Sequence, residues 1–286
     1  MLSCREDVVM DAVTFADLIA APPIPRVELA QRAGVSRNTE WVLRQDQSRA
    51  RLDTLREIAL ACGFDIEIRL DRAYQPAAAA AARDLLDDLT DMDPPLLRAD
   101  LGAWRDRLLR YVRADDGDEG SVDPLRLVSE AAALSAPQNS PDAIMLAGRN
   151  DLERLMSAAS ATSTEYRDHR YVFSGGAALR ALRVELPHDL TTIASAESEQ
   201  ERWAKMPTVV WTSLPTQFSR YLMETHRSVR TARAATVIIA PLAPHHLVRA
   251  AEPGGVPLVS PIQAVIDSLG VGGDLGLTAL DLARSW

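Results

Sequence analysis

Cysteine is nearly missing: Cys4 and Cys62 are the only two in the chain. They have no close metal-type spacing, and one possible pair does not make a secreted disulfide scaffold. A reducing cytoplasm is therefore the expected compartment. No run of about 18 apolar residues exists, which excludes a spanning helix of ordinary kind. Residues 1–13 show no basic start followed by an apolar stretch, so no secretory signal is expected. Lysine is almost absent as well. Lys205 is the only one, so nearly all positive charge is arginine. The chain has no HExxH or CxxC metal motif, no GxSxG nucleophile elbow and no Gly-Lys-Ser/Thr phosphate loop. These absences predict no metal, no cofactor and no enzyme of those classes.

What is present is enough apolar residue for a full core, 47% of 286 residues, with room for two or three segments. The net charge is −9, which argues against a chain that is basic throughout. The distribution is more telling. Between Arg26 and Arg56 seven arginines (Arg26, Arg32, Arg37, Arg44, Arg49, Arg51, Arg56) face four acids (Glu28, Glu40, Asp46, Asp53), which leaves +3 in that span. The remainder of the chain is acidic, for which simple solubility is a sufficient reason.

The basic span has internal order. Pro25 and Arg26 open a helix that runs to Ala33. Gly34 breaks it, because the turn to a second helix needs a residue that tolerates φ > 0. Val35 can plug the angle between the helices. Ser36 is a good N-cap for the helix that starts Arg37-Asn38-Thr39; Glu40 lies one residue past the capping-box position. A polar loop, 45–48, leads to a support helix from Arg51 to Cys62, with Gly63 as its C-terminal stop. In a helix-turn-helix the second helix enters the major groove with its N-terminal residues at base edges. Arginine can bond guanine through two hydrogen bonds and asparagine adenine likewise. The order Leu29-Ala30, Gly34-Val35-Ser36, then Leu55, Ile58 and Ala59 in the support helix resembles the Cro/C1 (Xre) class of helix-turn-helix. The resemblance implies double-stranded DNA as partner, with Ser36, Arg37, Asn38 and Thr39 at the bases and Arg32, Arg44 and Arg49 near phosphates. It also implies a homodimer reading an inverted repeat. One departure stands out: the usual aliphatic position four after the serine is Glu40, followed by Trp41 and Val42.

Taken in order, residues 11–20 carry Val13, Phe15, Leu18 and Ile19 at helical spacing, and Pro22, Pro23 and Pro25 end that helix. Residues 64–70 alternate apolar and charged as a half-buried strand does. From 75 to 164 the chain reads as helices at 77–89, 96–112, 125–134 and 143–158. An acidic loop at 115–123 lacks calcium-ligand spacing. After about 165, short apolar strands at 171–173, 208–211, 236–240 and 256–259 alternate with helices at 177–182, 217–225, 262–269 and 277–284. The expected fold is α+β: an all-α helix-turn-helix domain at 1–72, a helical connector at 73–164 and an α/β domain at 165–286.

Ser174-Gly175-Gly176, between a strand and a helix, resembles the Gly-Gly turn of nucleotidyltransferases. The later acidic motif is incomplete, Asp189-Leu190-Thr191, where two-metal chemistry needs converging carboxylates. The five histidines, His169, His188, His226, His245 and His246, read as surface or capping residues. A second resemblance covers residues 166–286. Phe173-Ser174-Gly175-Gly176-Ala177-Ala178-Leu179, the strand Thr236–Ala240 and the stretch from Val256 to Leu269 are similar to the C-terminal domain of AbiE-type abortive-infection antitoxins. That family usually carries a winged helix-turn-helix, whereas this N-terminus resembles the Cro/C1 type. The resemblance implies a repressor that acts as antitoxin and autoregulator of its operon, with a nucleotidyltransferase-like toxin as partner. The alternatives are a ligand-responsive regulator, and a degenerate nucleotidyltransferase centred on Gly175, Gly176 and Asp189.

Overall fold

The computed structural model describes residues 15–46, 50–66, 72–86, 95–112, 123–182 and 199–285. The chain forms two compact units, 1–71 and 72–286. Helix and a mixed sheet are both present, so the fold is α+β in the general sense. Among the described residues no helix is long and apolar enough to cross a membrane.

The first unit is all helical where described: α1 (Phe15–Ala20), α2 (Arg26–Arg32), α3 (Arg37–Gln45) and α4 (Leu52–Ala61). Its core is small: Ile19, Leu29, Ala33, Leu43 and Ile58, with Ile24, Val35 and Ala50 packed around them. Each fully buried Leu or Ile contributes about 1.5–3 kcal/mol, so a handful of side chains holds the unit together. α2 and α4 end in the same way. Gly34 (φ +65°) and Gly63 (φ +85°) follow them in the left-handed region. The next amides turn back, Val35 N to Ala30 O at 3.0 Å and Phe64 N to Ala59 O at 2.9 Å, closing the helix ends as glycine stops do. The alternating stretch at 64–70 is not a strand over Phe64–Ile66, and its remainder lies outside the described residues.

Among the described residues the second unit is built on a five-stranded sheet. Its strands are β1 (Ile144–Ala147), β2 (Tyr171–Gly175), β3 (Thr208–Thr212), β4 (Arg227–Ser228) and β5 (Val237–Pro241), in the order β2-β3-β5-β1-β4. β3 and β5 run parallel; the other neighbours are antiparallel. All five residues of β3 are buried, as are the first four of β5, which explains why both read as continuous apolar runs. The helices are α5 (Pro76–Leu85), α6 (Pro95–Val112), α7 (Pro124–Ser135), α8 (Leu152–Glu165), α9 (Gly176–Ala181), α10 (Glu199–Lys205), α11 (Pro215–Arg220), α12 (Pro261–Val271) and α13 (Gly273–Ala283). α5 lies against α6 and α7, and α12 against α7, α13 and β2. Ala78 to Ala82 of α5 are each at most 1% exposed; side chains this small let helices approach closely.

Three expected elements of the second unit change here. Residues 143–158 are not one helix. Ile144-Met145-Leu146 is a short apolar run that periodicity cannot assign, and it pairs with β5 as β1. The chain breaks at Gly148, and Asp151 caps α8 by accepting from Glu153 N at 3.1 Å. Residues 256–259 do not form a full strand. Only Leu258 bridges, to Phe173 and to Ala251. Residues 217–225 shorten to α11, with Pro215 in its first turn. The helices expected as a connector and the strands that follow share one core, in which Leu108 and Leu127 belong with Val209 and Ile238. Residues 72–286 are therefore one compact unit, and the boundary expected at 164/165 falls inside it.

Candidate functional site

The recognition-type geometry in the first unit starts at Ser36. Its hydroxyl accepts from Thr39 N at 3.0 Å and lies 2.9 Å from Thr39 Oγ1. Thr39 is thus half-buried, engaged at the cap and turned toward Ser36, away from the outward arc of the helix. Glu40 explains the departure from the aliphatic pattern. It is only 8% exposed, and Arg26 Nη1 donates to its Oε1 at 2.8 Å while Arg26 Nη2 donates to Ala20 O at 3.2 Å. A paired carboxylate therefore fills the inward position and fastens α3 to the start of α2 and the end of α1.

With Glu40 and Leu43 inward, the other face of α3 is set. Residues advance by roughly 100° around a helix. Arg37, Asn38, Trp41, Arg44 and Gln45 fall on one arc, and all five are exposed. Trp41 sits at the middle of that arc and is 52% exposed. Among the described residues neither Arg37 nor Arg44 forms an ion pair. Arg32, by contrast, pairs with Glu28 one turn back on α2. Arg49 lies outside the described residues. Of the seven residues expected to meet DNA, the structure thus brings Arg37, Asn38 and Arg44 onto one open face. It places Ser36 and Thr39 at the cap of the same helix and Arg32 on α2. Trp41 was read only as part of a departure; its position one turn after Arg37 was the available signal.

The second unit buries a connected set of polar groups. Arg83, at the end of α5, is fully buried and donates from Nη1 to His245 O at 2.8 Å and to Gln263 Oε1 at 3.0 Å. Gln263 Nε2 donates to Asp267 Oδ1 at 2.8 Å, and Trp211 Nε1 donates to Asp267 Oδ2 at 2.8 Å. His246 stacks on Trp211, ring centres 3.8 Å apart, and its Nδ1 accepts from Ala243 N at 3.0 Å. Gln263 and Asp267, one turn apart on α12, thereby join α5, β3 and the turn at 244–247. Burial pushes the Asp267 carboxyl up to about 6, against the pull of its hydrogen bonds and of the Arg83 charge. Burial, with the nearby Arg83 charge, holds His245 down to about 3, and burial holds His246 well below the ordinary histidine value.

This corrects the surface reading of the histidines. His169, His226, His245 and His246 are all buried. His169 lies between Ser163 Oγ and Thr212 Oγ1 at 2.9 and 2.8 Å, and His226 between Thr225 Oγ1 and Arg149 O at 3.0 and 3.2 Å. Only His246 combines burial with the expected capping role. His188 lies outside the described residues.

The Gly-Gly turn has its own packing reason. Gly175 has φ +65°, and a Cβ there would meet Pro207 O at 2.7 Å. The Gly176 amide donates to Pro207 O at 2.8 Å, so that N–H is engaged by β3's approach. A shallow hollow of about 200 Å³ beside Gly176 is lined by Arg149, Asp151 and Arg180 among others. Asp151 there is the N-cap of α8. Asp189 lies outside the described residues. Among the described residues no group of three or more His, Cys, Asp or Glu side chains is arranged to hold a metal ion. Comparison with protein-family models, with curated proteins and with solved structures finds no match to this chain.

Proposed function

We propose that the chain is a sequence-specific DNA-binding repressor whose first unit reads the major groove through α3. The observation that carries this is the single outward arc of α3, with Arg37, Asn38 and Arg44 exposed behind a glycine turn and a serine cap. Two guanidiniums on that arc that form no ion pair among the described residues favour an anionic ligand. Arg37 and Asn38, in the first turn, are suited to base edges, and Arg44 further along to a phosphate. Thr39 and Ser36 hold the start of the helix in place.

The finer reading is an antitoxin that represses its own operon as a homodimer, beside a nucleotidyltransferase-like toxin. Its support is the residue resemblance in 166–286, together with a polar network in the second unit that is engaged internally. The test is a hydroxyl-radical footprint of the full chain on the DNA upstream of its own coding sequence. Two protected patches on one face of the duplex, about one helical turn apart, are expected for a dimer on an inverted repeat. Protection that is absent, or uniform along the fragment, contradicts an autoregulator.

A further inference from the structure

The centre of the α3 arc is the least polar part of it. Trp41 presents about half of a large indole to solvent, between Arg37 and Arg44 on one side and Asn38 and Gln45 on the other. A single exposed apolar residue needs no explanation by itself. This one lies at the middle of an otherwise polar and cationic helix face, and among the described residues it is not one of the side chains packed against the unit's core. The arginines beside it call for an anionic partner, while the indole calls for an apolar contact. Duplex DNA offers both at once. Its phosphates flank the major groove, and the 5-methyl of thymine is the apolar group that base pairs project into that groove.

We propose that Trp41 is a specificity-determining residue that reads the 5-methyl group of thymine in the major groove. The inference rests on the DNA-reading function proposed above. Neither Ser36, Arg37, Asn38 nor Thr39 supplies an apolar surface of this size, so thymine preference at the centre of the half-site falls to Trp41. Its exposure also means that replacing it leaves the core of the unit untouched.

The test uses duplexes enriched from a random pool by the full-length protein. Each thymine of the enriched site is replaced in turn by deoxyuridine, which removes the methyl alone. Wild type is expected to lose about fourfold in affinity, the worth of one buried methyl group, at one or two thymines in each half-site. Trp41→Ala, with an unchanged melting curve, is expected to bind the thymine duplex more weakly and to be indifferent to the replacement. Trp41→Phe should retain part of the sensitivity. Wild type that is indifferent at every thymine overturns the proposal, whether or not the variants fold, while leaving DNA reading intact. So does Trp41→Ala that keeps the full deoxyuridine effect. Failure to enrich any duplex overturns the proposal together with the DNA-reading function beneath it.

Discussion

The two units handle polar side chains in opposite ways. On the outer arc of α3, Arg37, Asn38, Arg44 and Gln45 are exposed, and Arg37 and Arg44 form no ion pair among the described residues. In the second unit Arg83, Gln263, Asp267, Trp211 and His246 point inward and bond or stack with one another. An outward cation is hydrated and ready for exchange with a phosphate or a base. An inward one has already exchanged water for protein, and disturbing it costs folding energy. The difference separates groups kept for a partner from groups kept for the fold. The second unit's described histidines, expected at the surface or at caps, belong with the groups engaged by the fold. The Arg26–Glu40 pair stands between the two cases, with Glu40 buried and Arg26 39% exposed at its side chain.

The largest effect is expected at Arg83. Arg83→Met deletes the charge and strands two buried acceptors, Gln263 Oε1 and the His245 carbonyl, which at about 1–3 kcal/mol each should destabilise the second unit by about 2–6 kcal/mol. Thermal unfolding of the full chain measures it. DNA affinity of the variant, taken at a temperature where it remains folded, should match wild type. A matching loss of DNA discrimination would break the division between the units.

A smaller effect sharpens the intermediate case. Arg26→Ala leaves Glu40 buried without its cation and should cost the first unit about 1–3 kcal/mol. Glu40→Leu restores the aliphatic residue that the helix-turn-helix pattern favours and leaves Arg26 partly hydrated, so it should be near neutral or stabilising. Chemical denaturation of the two variants gives the order. If Glu40→Leu proves the worse of the two, the pair matters for more than filling the inward position.

The pH dependence is smaller still, because two contributions oppose. His245 and His246 are neutral in the fold, while the unfolded chain takes up protons near 6.5. Their stabilisation is complete above about 6.5 and is lost as pH falls from there toward about 3. Asp267 is shifted the other way, from 3.8 up to about 6. Its contribution is complete below about 3.8 and lost as pH rises to about 6, so it offsets part of the histidine effect between about 4 and 6. Two histidines against one carboxyl predict a melting temperature that falls between pH 7 and pH 5. A rise over that interval would show that the histidines are not held neutral inside.

The short helices of the first unit were legible because their signals are local. Gly34, Ser36 and Gly63 mark helix ends through backbone chemistry that depends on the adjacent turn, and the four helices follow from it. The inward place of Glu40 was not legible, since it depends on Arg26, 14 residues earlier. Longer separations hid more. Arg83 meets Gln263 across 180 residues and Trp211 meets Asp267 across 56, so no spacing rule reveals them. Gln263 and Asp267 were visible as one turn of a helix; that they share a buried network was not. β1 was lost for a different reason. Four apolar residues between polar breaks fit a strand or a piece of helix equally well, and its pairing with β5 lies about 90 residues away. On the outward arc of α3, the exposure of Arg37, Asn38 and Arg44 follows from the expected helix start, while the place of Trp41 required the helix to be phased by what it buries.

The central claim is that the outward arc of α3 reads bases. The most direct measurement is the affinity of wild type and Arg37→Ala for the footprinted upstream duplex and for a scrambled duplex, each at two salt concentrations. Base reading by α3 predicts that Arg37→Ala weakens binding to the upstream duplex by about 10- to 100-fold, the worth of a two-bond contact to guanine, and changes the scrambled duplex far less. An equal loss on both duplexes, or none on either, would contradict base reading by this helix.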